Sequence, residues 1–169
     1  MLFRSLIAKH ESGGNYNARF GKATNHDPMF TEMTVGQVLD WQCQRGAGGS
    51  TAVGRYQIIK KTMQGLIESM KLTGSERFGE AMQDKMALQL LNGRKLGSFL
   101  AGKLGVVGFG LAIAQEWASL PVLERTRGAH RMVDAGETYY AGDRVNKAGA
   151  TVNEVRRVLE AQAAGHRLA

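Results

Sequence analysis

What most limits how this chain can fold is the spacing of its apolar residues, which recur at helical intervals in one segment after another. Met63, Leu66, Ile67 and Met70 fall on one face of a helix predicted over Lys60 to Leu72, since residues three and four apart line up along a 3.6-residue repeat. Leu2, Phe3, Leu6 and Ile7 set the same spacing at the start, in a helix that Gly13-Gly14 ends. Thr34 to Gln37 has the form of a capping box, and Val35, Val38, Leu39 and Gln42 carry that helix to about Gln44. The form returns at Thr73-Gly74-Ser75-Glu76, ahead of Phe78 and a helix from about Glu80 to Leu91 that Asn92-Gly93 stops. Further helices are predicted around Ser98 to Leu104, from Phe109 to Leu120 before Pro121, and from Thr151 to about Ala163.

The remaining stretches read as loops. Asn15 to Met33 is rich in Asn, Gly, His, Asp and Pro, with room for a short hairpin, and Gly46 to Ser50 is a loop by composition. Glu124 to Asp143 is irregular apart from a possible turn of helix at Arg131 to Ala135. About seven helices and at most one small hairpin or sheet predict a predominantly helical α+β fold, organised as one domain over residues 1–169.

Such a domain has the length for a real core, and its single cysteine, Cys43, cannot form an internal disulfide. The fold must stand on packing. A formal charge of +7 suggests a polyanionic partner, which leaves nucleic acid, an anionic membrane surface and the bacterial envelope. Lys60-Lys61 and Arg125, Arg127 and Arg131 lack interleaved aromatics, so a nucleic-acid groove is not indicated. The most apolar stretch, Leu104 to Ala114, is too short to span a bilayer and carries three glycines, so stable membrane insertion is not expected. The first seven residues run into His10-Glu11 without a cleavage site, which argues against a signal peptide.

Cofactor and metal signals are weak. His10, His26 and Asp27 lack ligand spacing, and Gly46 to Gly54 lacks the Gly-Lys-Ser/Thr ending of a phosphate loop. Cys43 has no motif around it and reads as a small apolar helix residue. No metal and no cofactor is expected.

Glu11 is different. Leu6, Ile7 and Ala8 precede it and Ser12-Gly13-Gly14 breaks the helix behind it. Apolar surroundings raise a carboxyl pKa, and an open loop admits substrate, as a general acid requires. Position alone would make it an ordinary exposed helix-end glutamate. Tyr56-Gln57 alone reads as a loop entering a helix, Trp117 as a core residue on an apolar helix face, and Tyr140 equally as packing or as a stacking surface.

Together these residues form a familiar series. Glu11-Ser12-Gly13-Gly14 is similar to the Glu-Ser start of lytic transglycosylases and goose-type lysozymes. Gly54-Arg55-Tyr56-Gln57-Ile58 resembles their second motif in the form found in lambda-type phage endolysins. Phe30-Thr31-Glu32, Gln83-Asp84 with Ala87-Leu88-Gln89, and Trp117-Ala118-Ser119-Leu120-Pro121 resemble further segments of those endolysins, in the same order. Tyr139-Tyr140-Ala141-Gly142-Asp143 is similar to the tyrosine-bearing third motif of transglycosylases.

The resemblance implies a lysozyme-like fold and cleavage of the β-1,4 bond between N-acetylmuramic acid and N-acetylglucosamine in peptidoglycan, with Glu11 as acid/base. It implies substrate contacts at Ser12, Tyr56, Gln57, Glu32, Trp117 and Tyr140, and a supporting hydrogen-bond role for Asp84. Two mechanisms stay open. Lytic transglycosylation needs only Glu11, because the sugar's own 6-hydroxyl attacks. Hydrolysis needs a second carboxylate, for which Glu32 and Asp27 are available; the position nine residues after Glu11, where T-even phage lysozymes carry aspartate, is Phe20. The implied setting is a monomer kept in the host cytoplasm until a holin opens the membrane, or a virion-associated wall-degrading domain.

Overall fold

Seven α-helices and one two-stranded sheet are formed among the residues described by the computed structural model, 2–45 and 49–167. The helices are α1 (Leu2–Ser12), α2 (Val35–Gln44), α3 (Lys60–Ser69), α4 (Glu80–Gly93), α5 (Leu96–Leu100), α6 (Val106–Ala114) and α7 (Val152–Arg167). A 3₁₀ turn occupies Phe30–Glu32. The strands β1 (Thr126–Arg127) and β2 (Met132–Val133) pair antiparallel, with Thr126 opposite Val133. This is the predominantly helical α+β composition expected of a lysozyme-like chain.

Local signals explain the starts of α2 and α7. Thr34 caps α2 with the reciprocal bonds of a capping box, its hydroxyl accepting from the Gln37 N–H while Gln37 Oε1 accepts from the Thr34 N–H at 2.8 Å. Thr151 Oγ1 accepts from the Glu154 N–H at the start of α7. Glu76 instead turns its carboxylate onto the N–H groups of Thr73 and Gly74, so the second capping-box sequence closes a turn and the helix begins later, at Glu80.

Several boundaries differ from expectation. α5 lies at Leu96–Leu100, and α6 starts at Val106 and ends at Ala114. Trp117 therefore sits in the turn after α6, its N–H donating to the Ile113 carbonyl. Residues 131–135 form no helical turn, because Met132–Val133 pairs as a strand with Thr126–Arg127. No hairpin of regular strands forms in residues 15–33; isolated bridges join Arg19 to Lys22 and to Val53. Cys43 lies on α2, as expected, with its side chain exposed. The glycine-rich loop predicted at 46–50 falls largely on residues 46–48, outside the described residues.

The chain divides into two compact units. The first comprises Met1–His10 and Leu91–Ala169. Phe109 of α6 is its centre, stacked on Phe99 at 4.4 Å and meeting Phe3 edge-on at 6.0 Å, with Ile7, Ile113, Val155 and Leu159 buried around it. Each such side chain contributes roughly 1.5–3 kcal/mol on leaving water. The second unit, Glu11–Leu90, packs Phe30, Val35, Val38, Val53, Ile58, Met63, Leu66, Phe78 and Met86. α2 lies against α3 there.

Candidate active site

Glu11 occupies the last turn of α1 and is half-buried. Gly13 and Gly14 follow at φ of +63° and +88°. Left-handed backbone costs a side-chain-bearing residue, so glycine ends the helix there and lets the chain leave sharply behind the carboxyl.

Ser12, 2 % exposed, connects this end to the second motif. Its hydroxyl donates to the Arg55 carbonyl at 2.7 Å and accepts from the Gly14 N–H. The residue next to Glu11 is thereby pinned to the Gly54–Gln57 turn. Arg55 strengthens the junction from the other side, donating from Nη1 to the Gly14 carbonyl at 3.1 Å and laying its guanidinium 4.8 Å from the Tyr16 ring centre.

The turn itself is tightly specified. Gly54 has φ +76°, and a Cβ there would stand 2.4 Å from Gln83 Oε1. Gln83 is fully buried; it accepts from the Arg55 N–H and donates to the carbonyls of Tyr16 and Phe78. Three separate backbone segments thus converge on one amide. Gln57 closes the turn with a left-handed φ of +49°, its Nε2 donating to the Gly54 carbonyl at 2.9 Å. Backbone strain at a non-glycine residue persists only where its surroundings hold it, and functional sites are where it collects.

Tyr56 corrects one expectation. It is 2 % exposed, and its hydroxyl donates to Asp84 Oδ1 at 2.7 Å, so its ring offers no open face for stacking on a sugar. Tyr16, in the loop that follows α1, donates to the same Asp84 oxygen at 3.2 Å. Burial, the larger cause, and the neighbouring Asp84 both push the Tyr16 hydroxyl's pKa up, against the lowering effect of Arg55. The Asp84 carboxylate thus anchors two phenols behind the turn. Gln83-Asp84 was visible as a motif; the partnership with Tyr16 was not, because it spans 68 residues of sequence.

Glu32 is exposed at the end of the 3₁₀ turn. That turn is tied to the loop leaving Glu11, since Asn17 Oδ1 accepts from the Thr31 N–H at 2.8 Å. Asp27 is exposed as well. Trp117 and Tyr140 belong to the first unit. Trp117 is 3 % exposed. Tyr140 is half-buried, donates to the Gln115 carbonyl at 2.6 Å and packs T-shaped on Tyr139, and burial raises its pKa. Among the described residues no group of three or more His, Cys, Asp or Glu is placed to hold a metal ion, and no helix is long and apolar enough to cross a membrane.

A family model described as Endolysin matches residues 14–148. The matched region holds the Gly54–Gln57 turn, Gln83, Asp84, Trp117 and Tyr140, and begins three residues after Glu11. No curated protein and no solved structure matches the chain. A match over most of the length shows the family: this chain belongs to the endolysins, the phage enzymes that degrade host peptidoglycan.

Proposed function

We propose that the chain, acting as one lytic domain, cleaves the β-1,4 bond between N-acetylmuramic acid and N-acetylglucosamine as a lytic transglycosylase. Glu11 is its acid/base. Protonated Glu11 gives its proton to the glycosidic oxygen as the bond to the anomeric carbon breaks. The 6-hydroxyl of the same muramoyl residue attacks that carbon, and the Glu11 carboxylate takes the hydroxyl proton. The product is a 1,6-anhydromuramoyl end, and the acid is regenerated without water. No cofactor enters.

The observation that carries this reading is the 2.7 Å bond from Ser12 to the Arg55 carbonyl, which joins the helix end bearing Glu11 to the strained turn bearing Gln57. In that role the Gln57 amide bonds sugar hydroxyls or the N-acetyl group, while Tyr56 supports the turn from behind. Tyr140 is assigned to the substrate contacts by motif, whereas Trp117, 3 % exposed, packs within its own unit.

Hydrolysis through a second carboxylate is the alternative. The Asn17 bond to Thr31 favours Glu32 for that part, because it fastens the Glu32 turn to the loop that follows Glu11. Asp27 is the other candidate. Mass spectrometry of digested peptidoglycan decides between them: anhydro ends, lighter by one water, support transglycosylation, whereas reducing muramic acid overturns it in favour of hydrolysis.

Replacing Glu11→Gln should lower clearing of permeabilised Gram-negative cells by a factor of about 10²–10⁴ while leaving the helical circular dichroism signal intact. Undiminished clearing would remove Glu11 from the chemistry. In this proposal the protein acts as a monomer and waits in the host cytoplasm for holin to open the membrane. Co-sedimentation with phage particles would instead support the virion-associated setting.

A further inference from the structure

On the outer face of α2, Gln37, Asp40, Trp41 and Gln44 lie at positions three and four apart and, with Met33, line a hollow of about 300 Å³. A half-buried tryptophan among exposed polar residues is an unusual use of a helix's solvent face. The indole is also held firmly. Phe30 packs T-shaped against it at 4.9 Å, and the Arg45 guanidinium covers it at 4.6 Å from the ring centre, while the hollow opens on what remains.

We infer that this hollow is a saccharide-holding platform, a glycan-binding site that shares no residue with the Glu11–Gln57 site. The lining chemistry selects the ligand class. A pyranose ring presents an apolar C–H face, which an indole accepts, and a rim of hydroxyls, which carboxylate and amide groups accept and donate to. Asp40 is the only charged residue in the lining, although the chain carries +7. A phosphate-bearing ligand would meet the Asp40 carboxylate there, while the Arg45 guanidinium beside it is engaged over the indole. A protein partner would find only Met33 and Trp41 as apolar anchors, too little for a stable docking patch. A neutral N-acetylhexosamine unit fits both constraints.

The consequence rests on the proposed activity. A wall strand held at Trp41 raises the local concentration of its other sugars at Glu11, so the platform acts on intact walls and little on short fragments.

The test uses the full chain carrying Glu11→Gln, so that binding is read without cleavage. Co-sedimentation with purified sacculi and calorimetric titration with chitotetraose are measured with and without Trp41→Ala, and with the double variant Asp40→Ala/Gln44→Ala, which leaves the indole packed on Phe30. Both should weaken sacculus binding about tenfold, the equivalent of ~1.4 kcal/mol. In the cleaving chain the same substitutions should raise KM on sacculi and leave the rate on short soluble glycan fragments unchanged. Parental affinity in the double variant overturns the platform, whether or not Trp41→Ala folds. Failure of the catalytic reading is separate: it is signalled by wall clearing that survives Glu11→Gln, with Trp41 intact.

Discussion

Gly54 is the residue whose identity is most sharply dictated. Its left-handed φ and the 2.4 Å approach of Gln83 Oε1 leave no place for a methyl group. Gly54→Ala should cost about 3 kcal/mol from strain and overpacking together, which in a chain of this size is a fall of roughly 6–12 °C in Tm by calorimetry. An unchanged Tm would mean that the turn is not held by the buried amide. Lys71 is the opposite case. It ends α3 at φ +54°, with its own N–H donating to the Glu68 carbonyl and the Leu72 N–H to the Ile67 carbonyl. Both are backbone bonds that glycine keeps, so Lys71→Gly should stabilise by about 1 kcal/mol and raise Tm by about 2–4 °C. A lower Tm would show that the lysine side chain matters more than its backbone strain.

At the scale of elements, two carboxylates fasten segments to one another. Glu137 accepts both Arg131 guanidinium nitrogens and the Asp134 N–H, and these bonds, Arg131 first, hold its pKa down to about 2. Glu154 at the start of α7 accepts from Lys9 at 2.7 Å and from His10 at 3.0 Å near the end of α1, and the Lys9 bond is the main cause of its lowered pKa. Both groups are depressed on folding, so their contribution is full above the ordinary value of 4.5; Glu137's is lost as pH falls toward about 2, and Glu154's as pH falls through its own lowered value. Urea midpoints should therefore decline between pH 4.5 and 2. They should decline less steeply in Glu154→Gln, which has lost one titrating clamp; an identical slope would remove Glu154 from the account. Because the Glu137 side chain is still a third exposed to solvent, salt should flatten its share.

For the molecule as a whole, the formal charge of +7 acts at a distance that no single contact reaches. Clearing of permeabilised cells should fall as sodium chloride rises past about 0.1 M, where the screening length is roughly 10 Å. Release of product from short uncharged glycan fragments should hardly change. Equal salt sensitivity for both substrates would place the effect on catalysis and not on attraction to the wall. The sequence by itself determined the helical class, the capping of α2 by Thr34 and Gln37, the glycine stop after Glu11 and the ordered motifs of an endolysin. All of these are set by neighbours within a few positions, where periodicity and backbone preference act directly. It misplaced the ends of α5 and α6, and it allowed the one small sheet in residues 15–33, whereas the pair forms at β1–β2, because contacts beyond the local window settle where such segments lie. It also could not say that Tyr56 is buried. Only the tertiary structure brought Tyr16 and Tyr56 onto Asp84, three backbone segments onto Gln83, and Ser12 onto the Arg55 carbonyl. All of those bonds except Gln83 to Phe78 join residues 28 to 68 positions apart. A buried polar group takes whichever partner the packed chain presents to it, and that choice exists only once the core has formed.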